Sequence, residues 1–128
     1  MNTLKRLLYV EDEPDIRAVA QVALQHIGGF ELKVCESGEQ AVREAVAFAP
    51  DMVLLDVMMP GMDGPGTLRA LRALPELRAV PVAFMTAKVQ PNEVAEFIAM
   101  GAVDVIAKPF NPMTLADQVR ALWEHHHG

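Results

Sequence analysis

Three acids, a threonine and a lysine stand where apolar runs of this chain end. Glu11 and Asp12 follow Leu7-Leu8-Tyr9-Val10, and Asp56 follows Met52-Val53-Leu54-Leu55. Thr86 follows the run at 82–85, and Lys108 follows Val105-Ile106-Ala107. Carboxylates a few ångströms apart repel and raise one another's pKa. A hard divalent cation relieves that strain, and Mg²⁺ favours a few carboxylates together with waters and phosphate oxygens. Mn²⁺ could substitute, because it accepts the same oxygen ligands. Such an ion also neutralises an incoming phosphoryl group, which a bare acidic pocket would repel. Asp56 could then attack phosphorus as a nucleophile. The Thr86 hydroxyl could donate to a phosphoryl oxygen, and the Lys108 ammonium could pair with a carboxylate at rest and with phosphate oxygens afterwards. Taken singly, each acid reads as a turn residue or helix cap, Thr86 as a strand end and Lys108 as a solvated lysine. It is the set that points to one site.

The elements that must position these residues follow from hydropathy patterning. Short apolar runs alternate with amphipathic stretches five times. Strands are expected at 5–10, 31–35, 52–55, 82–85 and 103–107. Several are apolar without alternation, as in parallel strands covered on both faces. In the first helix Ile16, Val19, Ala20, Ala23, Leu24 and Ile27 share one face, and Gly28-Gly29 ends it. Ser37 and Gln40 form a capping box for the second helix, which Pro50 stops. Pro65 starts the third helix and Pro75 closes it. A fourth helix, 91–100, buries Val94, Phe97 and Ile98. Asn111 caps a fifth, with Pro112 in its first position and Leu115, Val119 and Leu122 on its inner face.

Regular βα alternation predicts a doubly wound, five-stranded parallel sheet with right-handed crossovers, a flavodoxin-like three-layer α/β sandwich. In the strand order 2-1-3-4-5 the winding reverses between strands one and three, which end in Glu11-Asp12 and Asp56. Ligands bind at that crevice. The order is one of two common ones.

The 128 residues suit one domain, 1–128, and a 52% hydrophobic fraction is ample for a core. No apolar stretch is long enough for a membrane span, and the N-terminus lacks a secretory layout. The single cysteine, Cys35, excludes an internal disulfide and fits a cytoplasmic protein. It reads as a buried strand residue, since no histidine is placed near it. A net charge of −6 argues against direct nucleic-acid binding by this domain. Met58 and Met59 shape access to the site, and sulfur ligation would be odd beside hard carboxylates. His26 reads as a partly exposed helix residue. The tail, 124–128, reads as frayed, and its histidines as a clipped tag or native sequence.

Together these residues resemble the receiver domain of two-component response regulators, including the single-domain chemotaxis type. The segments that carry the resemblance are Leu8-Tyr9-Val10-Glu11-Asp12-Glu13, the run from Leu54 to Gly64 around Asp56, Met85-Thr86-Ala87 and Ala107-Lys108-Pro109-Phe110. The resemblance implies that Asp56 accepts a phosphoryl group from a histidine kinase or histidine phosphotransfer protein. It implies a Mg²⁺ site made by Glu11, Asp12, Asp56 and the Met58 carbonyl, with Asp12 the more direct ligand on strand one. Thr86 and Lys108 would grip the phosphoryl oxygens, and the Lys108–Pro109 bond would be cis. Output to a downstream partner would pass through helix four, strand five and helix five. Such a protein assists its own phosphoryl transfer and dephosphorylation without being a classical enzyme. One departure stands out. Where the family often has an aromatic switch residue, this chain has Val105, which puts the usual threonine–aromatic coupling in doubt.

Two other readings compete. A phosphorylation-independent binding module would keep the fold and lose the chemistry, yet Asp56, Thr86 and Lys108 are all present. An aspartyl phosphatase usually has a second aspartate two residues after the nucleophile, and Met58 stands there.

Overall fold

Five strands and five helices alternate along the chain, which is described here over residues 3–127 of a computed structural model. The strands are β1 (Arg6–Val10), β2 (Glu31–Cys35), β3 (Met52–Asp56), β4 (Val82–Thr86) and β5 (Asp104–Ala107). The helices are α1 (Pro14–Gln21), α2 (Gly38–Phe48), α3 (Gly64–Arg72), α4 (Pro91–Ala99) and α5 (Leu115–His127). All strand pairs are parallel, in the order β2-β1-β3-β4-β5. This is the α/β flavodoxin-like order whose winding reverses between β1 and β3.

Strand side chains alternate between two buried layers. Leu7, Tyr9, Met52, Leu54 and Met85 meet Ala20, Leu24, Leu115, Val119 and Trp123 on the α1–α5 side. Leu8, Val10, Val53, Leu55 and Phe84 meet Ala41, Ala45, Leu68, Leu71 and Phe97 on the other. Each fully buried leucine-sized side chain contributes ~1.5–3 kcal/mol relative to exposure, so the layers define the sheet's register as well as its stability. Among the described residues no helix is long and apolar enough to cross a membrane.

Helix one departs from the sequence expectation. After Gln21 it continues as a π-helical segment, Val22–Ile27, in which the Gly28 amide donates to the Ala23 carbonyl at 3.0 Å. The wider turn breaks the 3.6-residue phase, and Ile27 emerges 48% exposed. Val19, expected on the same buried face, is 46% exposed because it borders an open apolar groove against Pro109 and Phe110. Gly28 permits the segment's close approach to α5. A Cβ there would stand 2.6 Å from that of Ala116. Arg120 of α5 donates to the Gly28 carbonyl at 2.5 Å and stacks over the Phe30 ring.

The other helix ends also differ in detail. Ser37 Oγ accepts from the Gln40 amide, but the Gln40 side chain accepts from Glu36 rather than from Ser37, so the capping box is displaced by one residue. Asp63, not Pro65, opens α3, accepting from the Gly66 amide at 2.8 Å. Pro75 begins a separate 3-10 turn, Pro75–Leu77. Asn111 closes a tight turn by accepting from the Met113 amide, which delays regular helix to Leu115. Ile98 of α4 is 47% exposed, because α4 covers the sheet's edge mainly through Phe97. α5 is helical through His127, past the point where a frayed tail was expected. Trp123, buried against the core, anchors its final turns.

Candidate functional site

β1 and β3 run side by side, with Val10 opposite Leu55, and deliver Glu11, Asp12 and Asp56 to one end of the sheet. Each contributes a carboxylate oxygen, and these oxygens lie within 4.8 Å of one another. Glu11 is fully buried and Asp56 is 4% exposed. Lys108 crosses from the end of β5 and donates to Glu11 at 2.8 Å and to Asp56 at 3.1 Å. A cleft of about 350 Å³ opens above them, bordered also by Glu13, Met58, Thr86 and Ala87.

The backbone explains this convergence. The Val57 amide donates to the Met85 carbonyl, and the Gly64 amide to the Val57 carbonyl at 2.8 Å, which folds the loop after Asp56 back onto its own strand. A Cβ on Gly64 would stand 2.6 Å from the Asp56 carbonyl oxygen, so glycine is required for that closure. The Lys108 amide donates to the Thr86 carbonyl, tying the ends of β4 and β5 together. The Lys108–Pro109 peptide bond is cis. Thr86 is buried, and its hydroxyl accepts from the Lys88 amide at 3.0 Å. Met58 stands at the lip with its side chain 68% exposed. Val105 is not in the cleft. It pairs with Phe84 and borders a separate groove with Val94 and Leu122, between α4 and α5.

Burial, and then the Glu11 charge, raise the Asp56 pKa from 3.8 to about 6, against the opposing pull of Lys108. Burial also works against the Lys108 ammonium, but its hydrogen bonds to Glu11 and Asp56 prevail and hold its pKa above the ordinary value. The site therefore concentrates negative charge that one lysine only partly offsets. Three hard oxygen donors so close together suit a small hard cation, and no sulfur ligand competes among them. Cys35 lies on β2, outside the cleft, where burial pushes its thiol up to about 11. His26 is exposed in the π-helical segment, also outside the site.

The sequence reading missed two residues. Arg17 donates to the backbone carbonyls of Glu11 and Asp12 at 3.0 and 3.2 Å, and to the Glu36 carboxylate. It thus fixes the acidic turn from beneath. Its position one helical turn past Glu13 was the available signal. The other is Tyr9, read as part of an apolar run, whose buried hydroxyl is close enough to Glu11 and Asp56 for their charges to raise its pKa after burial does.

A doubly wound sheet with an acidic crevice at its winding reversal defines a ligand-binding α/β module, and the chain's relatives say which one. Residues 7–120 match the response regulator receiver domain, and the chain belongs to that family. Receivers are phosphoacceptor signalling modules that partner with histidine kinases, not classical enzymes. The chain is 38% identical over 122 residues to the DNA-binding response regulator MtrA of Mycolicibacterium smegmatis, matching 94% of this chain and 52% of that protein. It spans about half the length of the curated relatives it matches. Among solved structures, the chemotaxis response regulator CheY4 of Vibrio cholerae aligns with a TM-score of 0.85 at 30% identity, covering 94% of this chain and 99% of that one. The receiver domain of sensor histidine kinase PA1611 from Pseudomonas aeruginosa, which has a magnesium ion coordinated in its active-site cleft, aligns with a TM-score of 0.81 at 29% identity, covering 98% and 100%. The Glu11, Asp12 and Asp56 cluster is consistent with a Mg²⁺ site of the kind receiver domains carry.

Proposed function

We propose that this chain is a cytoplasmic receiver, one domain over 1–128, that accepts a phosphoryl group on Asp56 from a histidine kinase or histidine phosphotransfer protein and thereby switches a protein partner. The observation that carries this reading is the convergence of three carboxylates within 4.8 Å with a lysine hydrogen-bonded to two of them. In the transfer, an Asp56 carboxylate oxygen forms a bond to phosphorus as the donor's phosphorus–nitrogen bond breaks. The bonding pair returns to the donor's imidazole. Glu11, Asp12, Asp56 and the Met58 carbonyl would hold Mg²⁺, or Mn²⁺ in its place. When bound, the ion would neutralise charge on the incoming phosphoryl group.

The protein's own groups do the rest. Lys108 holds the Asp56 carboxylate at rest and is within reach of a phosphoryl oxygen afterwards. Thr86 closes the cleft's other wall, and its hydroxyl gains a charge-assisted bond if it turns from the Lys88 amide to that oxygen. Output passes through α4, β5 and α5, beside the Thr86 loop. The cytoplasmic placement is supported by one unpaired, buried cysteine.

Incubation with acetyl phosphate and Mg²⁺ tests the reading. Intact mass should rise by one phosphoryl group, and Asp56→Asn should prevent the rise. Full labelling of Asp56→Asn would refute the assignment.

A further inference from the structure

Arg17 sits in the first turn of α1, where its amide donates to the Glu13 carbonyl at 2.9 Å. Its side chain is only 18% exposed and doubles back beneath the acidic turn. One nitrogen, Nη1, donates to the Glu11 carbonyl at 3.0 Å and to the Asp12 carbonyl at 3.2 Å. The other, Nη2, meets the exposed Glu36 carboxylate at 3.1 Å.

The peptide unit between Asp12 and Glu13 shows what this grip controls. A trans peptide points its C=O and its N–H in opposite directions. Here the Asp12 carbonyl faces Arg17, and the Glu13 amide at the other end of the same unit donates to the Glu11 carboxylate at 3.2 Å. Were the unit to turn over, its oxygen would face the carboxylate cluster, and the fully buried Glu11 would lose that donor. Both changes add to the repulsion within the cleft.

We propose that Arg17 is a positioning residue for the metal site: by holding the Glu11 and Asp12 carbonyls beneath the turn, it keeps their peptide units from turning over and so holds both acids in the cleft. This rests on the reading of Glu11, Asp12 and Asp56 as a Mg²⁺ site. The charge of Arg17 acts the other way. A guanidinium near a cation site repels the ion through space. A role through charge alone and a role through positioning therefore predict opposite signs when Arg17 is removed.

Mg²⁺ titrated into the metal-free protein, followed by the amide signals of residues 10–13, tests this. Arg17→Met keeps the stem but neither charge nor donors. It should bind Mg²⁺ about fivefold more weakly than wild type, the weight of one ordinary hydrogen bond. Arg17→Lys keeps the charge without the planar fork and should fall between the two. It decides alone if Arg17→Met does not fold. Glu36→Gln leaves the carbonyl bonds in place and should shift the affinity less than about twofold, because an exposed ion pair adds little. Arg120→Met removes an arginine–carbonyl bond of the same kind at Gly28, and should lower the melting temperature while leaving Mg²⁺ affinity unchanged. In labelling by acetyl phosphate, Arg17→Met should raise the half-saturating Mg²⁺ concentration by the same factor and leave the rate at saturating Mg²⁺ near that of wild type. Equal or tighter Mg²⁺ binding by either Arg17 variant overturns the proposal, and so does an equal loss in Glu36→Gln or Arg120→Met. If the wild-type amides do not respond to Mg²⁺, the metal reading fails first and this proposal with it.

Discussion

The β1–β3 end of the sheet and the β4–β5 end line the same cleft and are built differently. At the first, Glu11 and Asp56 are buried, Arg17 fixes the turn that carries Glu11 and Asp12, and the loop after Asp56 is pinned through Gly64. At the second, residues 87–90 are all exposed, α4 buries only Phe97, and Val105 borders an open groove of about 450 Å³. Acidic charge is thus held among buried, hydrogen-bonded groups, and freedom is left where exposed side chains meet solvent. A site must keep a carboxylate cluster in place against its own repulsion. A switch needs a segment with few buried contacts.

The contrast should show first in core substitutions. Leu55→Ala, in the fully buried strand beneath Asp56, should cost ~2–5 kcal/mol. Val105→Ala, beside the open groove, should cost about 1 kcal/mol or less. Urea unfolding of both variants measures this, and equal losses would erase the distinction between the two ends.

Next in size is the charge stored at the rigid end. The Asp56 carboxyl binds its proton more tightly when folded, at about 6 against 3.8, so its favourable contribution is complete below pH ~4 and lost as pH rises through 6. Metal-free Asp56→Asn should therefore be more stable than wild type at pH 7.5, by on the order of 2 kcal/mol. The gain should shrink toward pH 4. A gain that grows on acidification would show that the carboxylate is not held under strain.

Asp12→Ala should weaken Mg²⁺ binding at least tenfold, about 1.4 kcal/mol, followed by NMR titration of an amide near Asp12. Unchanged affinity would place the ion elsewhere. The smallest effect belongs to the loose end. On adding beryllofluoride, amides from 86 to 94 should shift strongly, while the Val105 methyl signals report a nearly fixed rotamer. The branched side chain of valine has few rotamers and no ring to swing. A Val105 flip as large as the loop change would show that valine takes the aromatic's part.

Most of the rigid end was legible in the sequence, because its signals are local. Unbroken apolar runs mark β1 and β3, and the acids at their ends mark the cleft. What escaped was set by contacts between distant segments. The π-helical turn ends where Gly28 meets Ala116 of α5, and no periodicity within helix one announces it. Ile98 carries a core pattern but lies at the sheet's edge, where α4 has one layer to cover. Arg17 acts through backbone carbonyls, which no side-chain motif records. Tyr9 reads as core by type and by burial. Only its buried hydroxyl, close enough to Glu11 and Asp56 to feel their charges, separates it from its apolar neighbours.

The seam between helix one and α5 has a mechanical meaning. Arg120 grips the Gly28 carbonyl and stacks on Phe30, while Ala116 sits where a Gly28 side chain would be. α5 is thereby riveted to the half of the molecule farthest from α4. The groove over β5 has α5 as one wall and α4 as the other, and α4, whose one buried residue is Phe97, is the more lightly held. It works as a vice with one fixed jaw: its width is a single coordinate, set by how far α4 stands from a post that stays still.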